Sequence, residues 1–260
     1  MDYQYTRIAV KVGSNVLTRK DGTLDVTRVS ALVDQLAELH KAGVEVVLVS
    51  SGAVASGRSE IKVSRKLDSV DQRQLYSAIG QAKLINRYYE LFREHGITVG
   101  QVLATKESFG TRRHYLTQRN CMRVMLDNGV IPIVNENDTV SVTELMFTDN
   151  DELSGLIARL MGADMLIILS NVDGLYNGRP GDEGVSLIPK VEAGKDVSQY
   201  IQSEKSGAGR GGMQSKCKTA LEVAASGIDV LLACGTRENI LVQLANHPEQ
   251  VPHTLFEKTL

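Results

Sequence analysis

Short runs that are apolar at nearly every position alternate along this chain with stretches of helical spacing, and few folds accept that pattern. Ile8-Ala9-Val10-Lys11-Val12 is the first run. A helical pattern from about Asp25 follows, with Val29, Leu32, Val33, Leu36 and Leu39 on one face and Gly43 as its stop. Val44 to Val49 reads as a second strand, and a long helix from about Asp71 to Gly96 carries Leu75, Ile79, Ala82, Ile85 and Tyr89. The cycle repeats with a strand at 97–103, a helix at about 113–128 and the strand Val130 to Val134. A polar turn and a hairpin at 139–147 come next, then a helix from about Asp149 and the strand Met165 to Leu169. A helix over 212–226, a last strand Ile228 to Leu232 and a short helix near 237–246 complete the reading. Uniformly apolar strands predict a sheet covered on both faces, and alternation with helices predicts parallel βαβ units. The expected class is α/β with a mostly parallel sheet. With no linker and no repeat, residues 1–260 are expected to form one domain; the Gly-rich, polar stretch 177–211 reads as a mobile flap.

Composition narrows the function. At 260 residues and 42% hydrophobic, the chain can bury roughly 70–75% of the surface it would expose unfolded. A net charge of -2 with dispersed Lys and Arg lacks the basic face that nucleic acid requires. Cys121, Cys217 and Cys234 have neither metal-site nor disulfide spacing and read as small packing residues. The start of the chain lacks the basic-then-apolar order of a signal peptide, and no apolar run approaches the ~20 residues that cross a bilayer. A cytoplasmic location, with neither membrane nor nucleic acid as partner, is expected.

Ligands of open α/β sheets bind beyond the carboxyl ends of the strands. Four predicted strands here end in small, polar or charged residues: Lys11-Val12-Gly13-Ser14-Asn15, Ser50-Ser51-Gly52-Ala53, Asn135-Glu136-Asn137-Asp138 and Ser170-Asn171-Val172-Asp173-Gly174. Lys11 interrupts an apolar strand, so it either reaches solvent from a sheet edge or meets an anion, with Gly13 letting that ligand approach. Ser51-Gly52 is either a serine cap with a glycine turn or a set of amides open to an anion. Gly207 to Lys216 places four glycines in six residues before a helix, with a lysine one turn inside. That is either a flexible loop or a nest of amides, helix dipole and cation suited to a triphosphate. Asn137-Asp138 and Asp149-Asn150-Asp151 can bind Mg²⁺, hold lysines or meet a substrate ammonium, although Asp149 alone is explained by the helix start it precedes.

His40, His95, His114, His247 and His253 lie outside these clusters, so no nucleophile–histidine set can be drawn. Phosphoryl transfer to a hydroxyl usually calls for a base. A carboxylate acceptor, with a pKa near ~4.3, is already ionised at neutral pH. Two lysines, glycine nests and acidic anchors without a base therefore fit formation of an acyl phosphate.

Lys11-Val12-Gly13-Ser14, Val49 to Ala53, Val134 to Asp138, Asp149-Asn150-Asp151, Gly174-Leu175-Tyr176 and Gly211 to Lys216 resemble the amino acid kinase family in order and spacing over almost the whole chain. The Asn-Glu-Asn-Asp and Asp-Asn-Asp elements are similar to those of its glutamate-phosphorylating members. They differ from members acting on aspartate, acetylglutamate, carbamate or uridylate. The resemblance implies a three-layer αβα sandwich and transfer of the γ-phosphoryl group of ATP to the γ-carboxylate of L-glutamate, the first step of proline synthesis, with Mg²⁺ required. It implies that Lys11 and Lys216 neutralise the transferring group and that Asp151 holds both. It further implies that Ser51, Gly52, Asp138 and Asn150 bind glutamate, Asp138 through the ammonium. Lys11, Gly13, Ser170, Asn171, Arg210, Gly211, Gly212, Met213, Gln214, Ser215 and Lys216 are implied to hold the nucleotide. Feedback inhibition by proline and a homodimer or homotetramer are implied as well. Met146 and Arg210 stand where many members carry lysine and threonine, and Asn171 stands for a common aspartate. Many members continue into a PUA domain, which nothing in this sequence supports. A non-catalytic amino-acid or anion-binding protein on the same fold is the competing reading, and the intact lysine pair with Asp151 argues against it.

Overall fold

In the computed structural model the described residues are 5–141, 146–147, 149–201 and 212–259. In chain order they form β1 (Arg7–Val12), α1 (Ser14–Leu17), α2 (Val26–Lys41), β2 (Glu45–Ser50), α3 (Ala53–Arg58), α4 (Ser69–Glu94) and β3 (Val99–Ala104). Then come α5 (Glu107–Gly110), α6 (Arg112–Asp127), β4 (Ile131–Glu136), α7 (Asn150–Met161), β5 (Met165–Ser170), β6 (Lys190–Val191), α8 (Met213–Ala225), β7 (Asp229–Cys234), α9 (Ile240–Asn246) and β8 (His253–Phe256). The helices start where side chains satisfy the orphan backbone N–H groups. Asp25 accepts from Arg28 N at α2, Asp68 from Val70 N and Asp71 N at α4, and Thr111 from His114 N at α6. After α2 and α4 the chain turns through Gly43 (φ 90°) and Gly96 (φ 73°), a left-handed backbone that favours glycine.

The sheet runs β3-β4-β2-β1-β5-β7-β8-β6, and β8 is antiparallel to β7 while the other pairs are parallel. Strand alternation sorts side chains into two layers. Ile8, Val10 and Val12 of β1 pack with Leu36 of α2, Tyr88 of α4 and Leu244 of α9. On the other face Ala9, Leu166 and Ile168 pack with Cys217 and Val223 of α8. Val47 and Val49 pack there with Met122 of α6 and Leu153 of α7. The result is the expected αβα sandwich.

Several expectations change. The chain does not close at the helix of 237–246: β8 follows, too short and too evenly mixed (half-buried, buried, half-buried, buried) to stand out as an apolar run. Within 177–211, Tyr176 bridges Leu187 and β6 pairs with β8, while 202–211 lie outside the described residues. So do 142–145 of the expected hairpin. Cys217 and Cys234 are buried, but Cys121 is exposed because it falls on the outer side of α6.

Candidate active site

β1 lies between β2 and β5, with Lys11 opposite Val49 and Ile168, so the sheet-edge account of this lysine fails. Lys11 shares the parity of Ala9, which directs it toward the layer containing α7 and α8. There its Nζ lies 2.5 Å from Asp151 Oδ1, and Lys216 Nζ donates to Asp151 Oδ2 at 2.9 Å. Lys11 and Lys216 are 4% and 8% exposed, and Asp151 is wholly buried. Asp151 occupies the first turn of α7 and Lys216 the first turn of α8. Gly155 lets those helices approach: a Cβ there would meet Thr219 Cγ2 at 2.8 Å and Val223 Cγ2 at 3.0 Å. Gly13 leaves room for the ammonium, since a Cβ would sit 3.3 Å from Lys11 Nζ.

Burial lowers the Lys11 pKa from its ordinary 10.5; Asp151 opposes that shift and Lys216 adds to it. For Asp151 burial acts against ionisation, but the Lys11 and Lys216 ammonium groups outweigh it and hold the carboxyl below its usual range. One carboxylate between two ammonium groups gives these three side chains a formal sum of +1, with the Asp149 carboxylate near enough to favour the Lys11 ammonium; a pair of buried cations suits an anion.

The opposite arrangement lies at the end of β4. Arg73, from the second turn of α4, donates from Nε to Asp138 Oδ1 at 2.5 Å and from Nη2 to Glu136 Oε2 at 2.7 Å. Nη2 is also paired with Asp138 Oδ1. Glu136 Oε1 accepts from Ser141 Oγ at 2.7 Å and from Phe147 N at 2.9 Å. Both acids are buried, and two carboxylates on one guanidinium leave about -1.

Amides and hydroxyls join the two clusters. Asn150 Nδ2 donates to Ser51 Oγ at 2.8 Å and Asn135 Oδ1 at 2.9 Å, while Asn135 Nδ2 donates to Gln81 Oε1 at 2.8 Å. Asp149 caps α7, accepting from Asp151 N at 2.8 Å and Glu152 N at 3.1 Å. Its Oδ2 is buried with no hydrogen-bond partner. Gly52 turns the chain from β2 into α3 at φ 106°, a conformation a side chain would strain. At Gly57 and Gly80, α3 and α4 touch backbone to backbone: a Cβ on either would sit 1.8 Å from a carbonyl oxygen of the other helix.

These groups line one open cleft of about 1010 Å³. Lys11, Gly13, Ser51, Gly52, Asp138, Asn150, Asp151, Ser170, Asn171, Gly212, Met213 and Lys216 all border it. Gln214 and Ser215 stand in the first turn of α8 without lining the cleft, and Arg210 and Gly211 lie outside the described residues. Its walls match the four strand ends singled out in the sequence, because β4, β2, β1 and β5 are consecutive in the sheet. Arg73 escaped notice because a polar residue within a helical pattern normally marks a solvated face. Its only sequence signal was the buried acid pair that needs a cation.

At the β5 end of the cleft, the loop after β5 is pinned twice. Arg237 donates to Asp173 from Nε at 2.6 Å and Nη2 at 2.9 Å. Thr254 Oγ1 of β8 accepts from Leu175 N at 2.8 Å and donates to Ile188 O at 2.7 Å, with Gly174 pressed against it. Tyr176, on that loop, also lines the cleft.

A parallel sheet with paired lysines on a buried aspartate at its carboxyl rim defines a class. The chain belongs to the amino acid kinase family, whose model matches residues 6–234. Over 256 residues it is 70% identical to the glutamate 5-kinase of Bacteroides thetaiotaomicron, covering 98% of this chain and 71% of that protein. It is 49% identical to the glutamate 5-kinase of Chlorobaculum tepidum, over 93% of this chain and 67% of the relative. Among solved structures, the UMP kinase from Ureaplasma parvum superposes with a TM-score of 0.63 over 99% of this chain and 100% of its own. At 17% identity that likeness is one of fold alone. No helix among the described residues is long and apolar enough to cross a membrane.

Proposed function

We propose that this chain, as one amino acid kinase domain over residues 1–260, transfers the γ-phosphoryl group of ATP to the γ-carboxylate of L-glutamate. The product is L-glutamyl 5-phosphate, and the reaction is the first step of proline biosynthesis. The observation that carries the reading is the pair of ammonium groups on one buried carboxylate, facing across a shared cleft a cluster of opposite net charge. An α-amino acid with a side-chain carboxylate has matching ends.

A γ-carboxylate oxygen attacks the terminal phosphorus, the bond from that phosphorus to the bridging oxygen breaks, and ADP leaves. The carboxylate is ionised at neutral pH, so no base is needed. Lys11 and Lys216 offset charge on the transferring group, and Asp151 keeps both in register. Ser51, Gly52 and Asn150 orient the glutamate, and Asp138 meets its ammonium. Gly13, Ser170, Asn171 and the segment 210–216 hold the nucleotide. Mg²⁺ enters as part of the nucleotide substrate, where it neutralises phosphate charge. No three acidic, His or Cys side chains gather into a metal site among the described residues. Asp149 Oδ2 and Asn15 Oδ1, both buried, without a hydrogen-bond partner and on residues lining the cleft, are protein oxygens that suit such an ion. Proline as a feedback inhibitor, a homodimer or homotetramer and a cytoplasmic location belong to the same reading.

ADP release should require ATP, Mg²⁺ and L-glutamate together. Preference for aspartate, acetylglutamate, carbamate or UMP in the same panel, or amino acid binding without turnover, overturns the assignment. Lys216→Ala should lower kcat roughly 100- to 1000-fold, the usual effect of losing one charge-stabilising donor, with circular dichroism unchanged.

A further inference from the structure

No motif contains Arg73, yet its guanidinium organises one end of the cleft. Its side chain is 14% exposed, and Nη1 is buried with no hydrogen-bond partner. A buried arginine that leaves a donor unsatisfied is placed there for its charge. Glu136 and Asp138, two residues apart at the end of β4, bring two buried carboxylates together, and the guanidinium lies between them. Arg73 also fixes the direction of Asp138, because Nε and Nη2 both engage Oδ1. The fork geometry matters here, since a lysine could neutralise the acids but could not orient both.

We infer that Arg73 is the positioning residue that sets affinity for the amino acid: it holds Asp138 in one direction, toward the substrate ammonium. This rests on the glutamate kinase reading above and adds a specificity-determining group to it. Arg73 belongs to α4, which no phosphate-binding group shares, so its influence should be confined to the amino acid side.

The test measures KM for L-glutamate, KM for ATP and kcat in Arg73→Met and Arg73→Lys. Glutamate-dependent ADP release by the unmodified protein comes first; its absence would reject the kinase reading itself rather than the role of Arg73. Arg73→Met should raise KM for L-glutamate at least about tenfold, with KM for ATP and kcat at saturation within about threefold. Arg73→Lys should recover part of that loss, since charge returns without the fork. An unchanged KM for L-glutamate in either folded variant would overturn the inference, as would equal losses for glutamate and ATP. Should Arg73→Met fail to fold, Arg73→Lys decides alone: a severalfold rise confined to glutamate supports the inference, and no rise refutes it.

Discussion

The cleft contains two charged triads built on opposite arithmetic. Two lysines share Asp151 at one end, and two acids share Arg73 at the other. Taken alone, the three side chains of each triad sum to one formal charge, of opposite sign at the two ends. They differ in construction. The cationic triad gathers side chains from β1, α7 and α8, remote in sequence, so the whole sandwich must form before it exists. The acidic triad needs one strand end and one turn of α4. The comparison teaches that the two ends of the cleft rest on separate structural supports, which can be broken one at a time.

The largest break should come from Asp151→Asn. It leaves two buried ammonium groups with no shared counter-ion, so unfolding free energy should fall by about 3–5 kcal/mol. Turnover should vanish; urea denaturation and ADP release check the two effects, and near-native stability would contradict the account. Next comes Gly80→Ala, whose Cβ would press on the Ala53 carbonyl oxygen and push α4 away from α3. Overpacking against rigid backbone should cost about 3 kcal/mol. Any folded remainder should lose affinity for glutamate more than for ATP, since α4 bears Arg73 but neither lysine.

The pH dependence separates the triads without mutation. The Lys11 pKa is lowered from 10.5, foremost by burial. Its proton is therefore lost as pH rises through a value below 10.5, and the cationic triad falls from +1 to zero. The alkaline limb of kcat/KM for ATP should appear below pH 10.5 and move upward in Lys11→Arg, if that variant retains activity. A limb at 10.5 or above in the unmodified protein would reject a depressed Lys11. The smallest effect belongs to Arg237→Met. Its pair with Asp173 is partly exposed, worth about 0–1 kcal/mol, so melting should barely move while KM for ATP rises about twofold.

Much of this was legible in the sequence. Lys11, Ser51, Asp138 and Asn171 each stand at the polar end of an apolar run, while the choice between sheet edge and interior for Lys11 needed the strand order. Arg73 was not legible, because a helix shows its pattern but not the partner that waits at the end of another strand. The sequence reading also missed β8, where only Thr254 and Phe256 are buried and no apolar run forms. A short strand such as β8, held between β7 and β6, owes its conformation to the neighbours it pairs with, which local pattern cannot reveal.

Thr254 gives that overlooked strand a second duty. Its hydroxyl grips the backbone on both flanks of the loop bearing Tyr176, although it lies beyond residue 234, where the family match stops. A strand with no ligand contact of its own thus acts as a mooring for one wall of the cleft. Cutting that mooring by Thr254→Val would spare every charged group while letting the wall drift, so the shape of the cleft would change with its charges intact.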